Sequence, residues 1–147
     1  MKNIKLYNVL FPFWMLLLLP PLWLIILPGN FLIDSLILLL SMWILKIENK
    51  KQWYKKHIMK IFAFGMLSDM LGAGYMLFML STFQLDSAGD DWQLTVPGLI
   101  LSAIFIFVFN YFVTFRKADK KLRLYEALTF AIVTAPYTFL IPNSWMY

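Results

Sequence analysis

Four polar side chains lie inside long apolar stretches of the sequence, where they could carry chemistry: Asp34, Asp69, Asn110 and Glu126. Ionisable groups within apolar segments are costly, so they usually face the interior of a helical bundle and find a partner there. Carboxyl groups in such positions mark proton relays and ion routes in membrane proteins. We therefore treat these four residues as candidates for a substrate or ion path.

Asp69 is flanked by small residues at helical spacing. Gly65, Gly72 and Ala73 lie four residues before it and three and four residues after it, which places them on the same helix face. A surface of this kind allows another helix backbone to approach closely. Two interpretations stay open: Asp69 is a proton or cation site, or it is a buried hydrogen-bond partner that fixes helix packing.

Asp34 shares a helical stripe with Asn30 and Ser41, at spacings of four and seven residues. The stripe predicts one polar face that points inward or toward a partner subunit. With Asn30 at the outer end of a span, Asp34 is expected about 6 Å below it and roughly 10 Å from the depth of Asp69. An interfacial role is favoured for Asp34 over a catalytic one.

Asn110 and Glu126 are expected nearer the inner side of the membrane. Glu126 follows Arg123 by three residues on the same helix face, which predicts an ordinary local salt bridge. If the four polar candidates face one another, they form a broken polar path of the kind found in small carriers. If each of them meets a different helix, there is no path.

The last apolar stretch has the pattern of a packing helix. Ala127, Ala131 and Ala135 recur every four residues and give a smooth face for a neighbouring helix. We expect this face to meet the small residues Gly65 and Gly72 of the third stretch.

Several chemistries are excluded by the residues available. The chain has no cysteine, which rules out disulfides, thiolate catalysis and cysteine-bound metals. His57 is the only histidine and is expected at a solvated interface among lysines, so neither a zinc site nor a bis-histidine haem site is predicted. There is no phosphate-binding glycine loop, no Ser-His-acid set and no Gly-x-Gly-Asp motif. We predict no enzyme activity, no cofactor and no metal.

These candidates must be held by membrane helices. Of the 147 residues, 61% are hydrophobic and 14% are charged, with a mean hydropathy of +0.71, which is too apolar for one small soluble core. The sequence predicts an all-α, polytopic membrane helical bundle in a single domain covering residues 1–147. Pro28-Gly29-Asn30 is expected to be a tight turn that makes a short hairpin of the first two helices. The five predicted spans are Leu6 to Leu27, Asn30 to Leu45, Ile58 to Ser81, Thr95 to Phe115, and Leu122 to Ile141.

The basic residues predict the orientation. All thirteen Lys and Arg residues lie in the N-terminus, in the segment from Lys46 to Lys60 and in the segment from Arg116 to Arg123. Since basic loops stay in the cytoplasm, the chain is predicted to lie in the cytoplasmic membrane with its N-terminus on the cytoplasmic side and Tyr147 on the outer side. The net charge of +5 then faces the anionic lipids of the inner leaflet, and no nucleic-acid partner is expected.

Function is predicted only as a class. The leading hypothesis is a small cytoplasmic-membrane protein of transport type, either a carrier or a membrane subunit of a transport assembly. Five helices are too few to enclose a wide pathway, which favours association with itself or with another membrane subunit. The alternatives are a non-transporting scaffold, immunity or accessory protein, and a lipid-binding protein that uses the aromatic residues between Phe105 and Phe115.

Overall fold

The computed structural model describes residues 19–83 and 92–140, and within these two ranges the chain is built from helices and contains no strand. Four α-helices follow one another: α1 Trp23–Ile44, α2 Lys50–Phe83, α3 Trp92–Phe109 and α4 Lys120–Val133. Three short helical turns flank them: a 3-10 turn at Pro20–Leu22, a π-helical turn at Asn110–Thr114 and a 3-10 turn at Tyr137–Leu140. The predicted all-α class is confirmed for this part of the chain.

Three of the helical stretches are long and apolar enough to cross a membrane. They are Pro20–Ile44 with 25 residues, Lys50–Met79 with 30 and Leu94–Thr114 with 21. At about 1.5 Å per residue, each of them exceeds the hydrocarbon thickness of about 30 Å. Large apolar side chains also cover the outside of these helices, as at Leu24 and Trp43. Such a surface fits a membrane-associated helical bundle.

The predicted turn at Pro28-Gly29-Asn30 is wrong. α1 runs without interruption from Trp23 to Ile44, with Pro28 inside it. Proline removes one backbone hydrogen bond, whereas a turn in apolar surroundings leaves several backbone groups without partners, so the continuous helix is favoured. Asn30 is held within this helix and donates from Nδ2 to the sulfur of Met66 on α2. Asp34 consequently lies in the middle of a long helix and not near the end of a short one.

The helices pack mainly against their neighbours in sequence. α2 contacts α1 and α3, while α4 packs against α3, the π-helical turn and α1. The predicted contact between the glycine face of α2 and the alanine face of α4 is therefore wrong, because these two helices share no extended interface. Gly98 of α3 packs tightly against α2, since an added Cβ atom would lie 2.7 Å from Cγ of Met76.

The last helix is shorter than the predicted span Leu122 to Ile141. α4 ends at Val133, since Pro136 has no amide donor and disfavours helical geometry at the residue before it. Tyr137 donates its hydroxyl to the carbonyl oxygen of Ile132, which the missing proline donor leaves free. The 3-10 turn Tyr137–Leu140 then continues along α3.

The bundle has two apolar clusters. The larger one lies toward the end that carries Lys46, Lys60 and Arg116, which we call the basic end; it contains Leu38, Met42, Ile58, Ile61, Ile106, Phe115, Phe130 and Ala131. The smaller one lies toward the opposite end and contains Met66, Ala73, Met76 and Leu94. The polar candidates are buried next to these clusters.

Candidate functional site

Asp69 lies at the contact between α2 and α3. Its side chain is buried, and Ser102 of α3 donates a hydrogen bond of 2.9 Å to its Oδ1 atom. Ser102 is completely buried as well. This hydrogen bond fixes the register of α2 against α3 in the middle of both helices.

Asp34 packs against the smallest residue of the α2 surface. A Cβ atom added to Gly65 would lie 3.6 Å from Oδ2 of Asp34, so the carboxyl group rests on the glycine backbone. Gly65 is one helical turn, about 6 Å along the axis, from Asp69. The predicted depth difference of roughly 10 Å between Asp34 and Asp69 is therefore wrong, and the two carboxyl groups are close enough to interact electrostatically.

Glu126 is completely buried between α4 and α1. Ser41 of α1 lies within hydrogen-bond distance of it, with 3.0 Å between Oγ and Oε1 of Glu126, and the same hydroxyl reaches the carbonyl oxygen of Leu38 at 2.9 Å. The single hydroxyl proton serves only one of these two acceptors at a time. Oε2 of Glu126 has no partner among the described residues.

The predicted salt bridge between Arg123 and Glu126 is wrong. The Arg123 guanidinium lies 4.3 Å from the centre of the Tyr111 ring and donates to the Tyr111 hydroxyl at 3.2 Å. A second donor of the same group points to the carbonyl oxygen of Arg116. The aromatic face and the two oxygen acceptors give the cation a more complete set of partners than a carboxylate that is turned toward α1.

Asn110 and Thr114 lie four residues apart in the π-helical turn, and both are buried. The turn is closed by a hydrogen bond from the amide of Phe115 to the carbonyl oxygen of Asn110. Both amide atoms of the Asn110 side chain and the Thr114 hydroxyl lack a partner in residues 19–83 and 92–140. Single π-helical turns within helices occur frequently at functional sites.

These side chains form two polar layers. The Asp layer consists of Asp34, Asp69 and Ser102, and the Glu layer consists of Ser41, Asn110, Thr114 and Glu126. Seven residues separate Asp34 from Ser41 and eight separate Ser102 from Asn110, so the Glu layer lies about 10 to 12 Å closer to the basic end.

An apolar layer lies between the two polar layers. Leu38 and Ile106 are one helical turn from Asp34 and Ser102 toward the basic end, and Ile61 is one turn from Gly65, against which Asp34 lies. All three are at most 1% exposed. The polar candidates do not form one continuous chain of contacts.

The small residues that were predicted to support packing are placed as follows. Gly72 and Ala73 are buried on α2, and Gly65 is half-buried beneath Asp34. The three alanines of the last stretch, Ala127, Ala131 and Ala135, are buried on the bundle side of α4 and the segment that follows it.

His57 lies elsewhere than expected. It is buried at the basic end of the bundle, where its ring stacks on Phe115 and Nδ1 lies 2.8 Å from the carbonyl oxygen of Trp53. The expectation of a solvated interfacial histidine is wrong, because the bulky ring of Phe115 covers this turn of α2.

Ser102, the hydrogen-bond partner of Asp69, was not among the site residues predicted from the sequence. A signal was present, since Ser102, Ile106, Asn110 and Thr114 recur every four residues and all are buried on one stripe. The serine was inconspicuous because single hydroxyl groups are common on membrane helices.

Within the described part of the chain, the three buried carboxyl groups have no positively charged partner. No Lys, Arg or His of the described ranges forms an ion pair with Asp34, Asp69 or Glu126. Nor do three or more acidic or histidine side chains converge there on a position that could hold a metal ion. A proton or one singly charged cation is the counter-charge that such isolated carboxyl groups can accept.

Comparison with known proteins gives no relative: no family model, no curated protein and no solved structure matches this chain. The geometry of the two polar layers is therefore the basis for the proposed function.

Proposed function

We propose that the chain is a small membrane protein of transport type that binds a proton or a monovalent cation at Asp34 and Asp69. It acts either as a carrier or as the membrane subunit of a transport assembly. The observation that carries this proposal is the contact of Asp34 on α1 with Gly65 on α2. Gly65 in turn lies one helical turn from Asp69 on α2. Two carboxyl groups on different helices thus share one small surface.

The chemistry follows from burial and charge. Two neighbouring carboxylates in apolar surroundings cannot both keep their charge without a counter-ion, because the desolvation cost is high and they repel each other. Ser102 supplies one hydroxyl donor to Asp69, and no described residue donates to Asp34. A proton or a cation that arrives at this pair neutralises it, and its departure restores the repulsion, which provides a reason for α1 and α2 to move relative to each other.

The proposal includes an orientation in the cytoplasmic membrane. The segments Lys46 to Lys60 and Arg116 to Arg123 lie in the cytoplasm against anionic lipid, since this distribution of basic residues follows the positive-inside rule. Lys120 to Leu140 forms a further crossing that is broken at Pro136, with Tyr137 and Thr134 satisfying the carbonyl groups at the break. A cytoplasmic N-terminus requires one more crossing before Pro20, which lies outside the described residues.

Ion flux in vesicles tests the proposal. The full chain is reconstituted into vesicles with a pH-sensitive dye inside, and gradients of NaCl or KCl are applied, with choline chloride at equal ionic strength as the reference. We expect the internal pH to respond to one of the two cations, and Asp69→Asn to remove the response while the melting temperature stays near that of the parent. Vesicles that respond no more than protein-free ones would contradict the proposal.

A packing protein without transport is the second candidate, and one observation favours it. The hydrogen bonds Ser102 to Asp69 and Ser41 to Glu126 join two different pairs of helices, which is how buried polar groups specify helix contacts. In that case Asp69→Asn changes the melting temperature slightly and nothing else. The lipid-binding alternative has less support. Phe109 stacks on both Phe105 and Phe64 of α2, so these rings pack within the bundle and do not form an aromatic surface that is free for a lipid.

A further inference from the structure

We propose that the Glu layer is a second binding site, for one alkali-metal cation, and that it is separate from the Asp layer. Its ligands are Glu126, Asn110, Thr114 and Ser41. This inference does not depend on the proposed function of Asp34 and Asp69, because it rests on different residues at another level of the bundle.

Several polar atoms of the Glu layer have no partner among the described residues. Oε2 of Glu126, Oδ1 and Nδ2 of Asn110 and Oγ1 of Thr114 are all buried and without a hydrogen bond among the described residues. Each such group costs about 1 to 3 kcal/mol if it stays unsatisfied, and folded proteins rarely tolerate several together. Three of the four atoms are oxygens, so the missing partner has to be one that several oxygens can approach.

The fold places these atoms at about one level. Asp34 and Ser102 are both tied to the five residues of α2 from Gly65 to Asp69. Ser41 lies about 10 Å from Asp34 along α1, and Asn110 lies about 12 Å from Ser102 along α3, both toward the basic end.

The remaining ligand reaches this level through α4. Glu126 is fixed there by its contact with Ser41, and α4 packs against both α1 and the π-helical turn. The π-helical turn itself sets Asn110 and Thr114 on one side, because four residues come close to a full turn in this geometry.

The coordinating atoms of the Glu layer favour an alkali-metal cation as the bound ion. Carboxylate, amide carbonyl and hydroxyl oxygens are hard donors, which suit alkali and other hard cations and not thiophilic metals. Glu126 is the only acidic residue of the layer, so a single positive charge neutralises it, whereas a divalent ion leaves a buried excess charge.

The nearest basic group forms no ion pair with Glu126 among the described residues. Arg123 lies one turn away on α4, and its two terminal nitrogens are directed to Tyr111 and to the carbonyl oxygen of Arg116, while its Nε is buried without a partner in the described ranges. His57 lies at the same end of the bundle, where Nδ1 contacts the carbonyl oxygen of Trp53 and the ring stacks on Phe115. The Glu126 carboxyl is thus left for a mobile cation.

Thermal stability with defined salts tests the site. The purified full chain is prepared in lipid nanodiscs in choline chloride, and choline is replaced stepwise by LiCl, NaCl or KCl at constant ionic strength. We expect the melting temperature to rise and saturate with at least one of the three cations. The rise is then measured in the Asp69→Asn background, which removes any contribution of a cation bound at the Asp layer. There Glu126→Gln should remove the rise, and Thr114→Val should shift its midpoint about tenfold to higher concentration, the effect of losing one oxygen ligand worth about 1.4 kcal/mol.

The controls separate this site from the Asp layer. A saturating rise should remain in Asp69→Asn alone, and Thr114→Val in that background, which preserves the shape of the side chain, decides the question if Glu126→Gln does not fold. A parent protein whose melting temperature does not saturate with any of the three cations overturns the inference. So does a rise that is lost in Asp69→Asn, or one whose midpoint in that variant stays the same when Thr114→Val is added. The vesicle experiment reports on the Asp layer independently, so failure of one proposal does not imply failure of the other.

Discussion

Ser41 and Glu126 are 85 residues apart in the sequence, and 3.0 Å separates their side-chain oxygens inside the bundle. The contact joins α1 to α4, the first and last helices of the described chain. Because α1 also packs on α2, and α4 on α3, this contact closes the four helices into a ring at the basic end. The ring gives the polar residues a common interior.

The Ser41 contact is expected to contribute measurably to stability. Ser41→Ala removes the hydroxyl donor from a fully buried carboxyl, which should lower the free energy of unfolding by about 1 to 3 kcal/mol. Ser81→Ala is the matched control, because Ser81 is exposed and bonds only within its own helix. A double-mutant cycle with Glu126→Leu, which leaves no acceptor for the Ser41 hydroxyl, measures the coupling in one detergent, and we expect about 1 kcal/mol. Additive effects of the two changes would show that the pair does not interact.

Asp69 should tolerate asparagine better than leucine. Asn keeps an acceptor for Ser102 at similar volume, while Leu leaves the buried hydroxyl without its partner at a cost of about 1 to 3 kcal/mol. Melting temperatures of Asp69→Asn and Asp69→Leu in the same detergent provide the measurement. If Asp69→Leu had the same melting temperature as the parent protein, the Asp69 side chain would have no packing role.

Two glycines offer a matched test of the contact between α2 and α3. Gly98→Ala places a methyl group 2.7 Å from Cγ and 2.8 Å from the sulfur of the buried Met76, so overpacking should destabilise the protein by about 1 to 3 kcal/mol. Gly74→Ala meets nothing within 4 Å and should be neutral or stabilising by up to about 1 kcal/mol, because alanine favours helix. Equal melting temperatures for the two variants would contradict the packing described for Gly98.

Labelling of single cysteines checks the orientation without background, since the chain has no cysteine of its own. Glu48→Cys and Lys117→Cys should react with an impermeant maleimide only after the cells are opened. Ser87→Cys and Tyr147→Cys should react in intact cells, as the distribution of basic residues predicts. Labelling of Lys117→Cys from outside would reverse the proposed orientation.

The sequence predicted which side chains are buried better than which ones meet. Helical spacing placed Asp34 and Ser41 on one stripe and Asp69 among small residues, and these positions are indeed buried, since periodicity depends on local geometry alone. Partners depend on the register between helices, which no local pattern contains, so the approach of Asp34 to Gly65 and the pairing of Ser41 with Glu126 were not foreseen. Pro28 misled for a related reason: a proline that ends a helix in water can be kept within one in an apolar environment.

The apolar layer of Leu38, Ile61 and Ile106 has an electrical consequence. Low-dielectric material about 10 Å thick between two polar layers spans about a third of a hydrocarbon core of about 30 Å, so about a third of any transmembrane voltage falls across it. Moving one elementary charge through the full field takes about 2.3 kcal/mol per 100 mV, and moving it from one polar layer to the other takes about 0.8 kcal/mol. With the basic end in the cytoplasm and a cation at each layer, as proposed above, occupancy of the two layers would respond to membrane potential, and the negative cell interior would favour a cation at the level of Glu126.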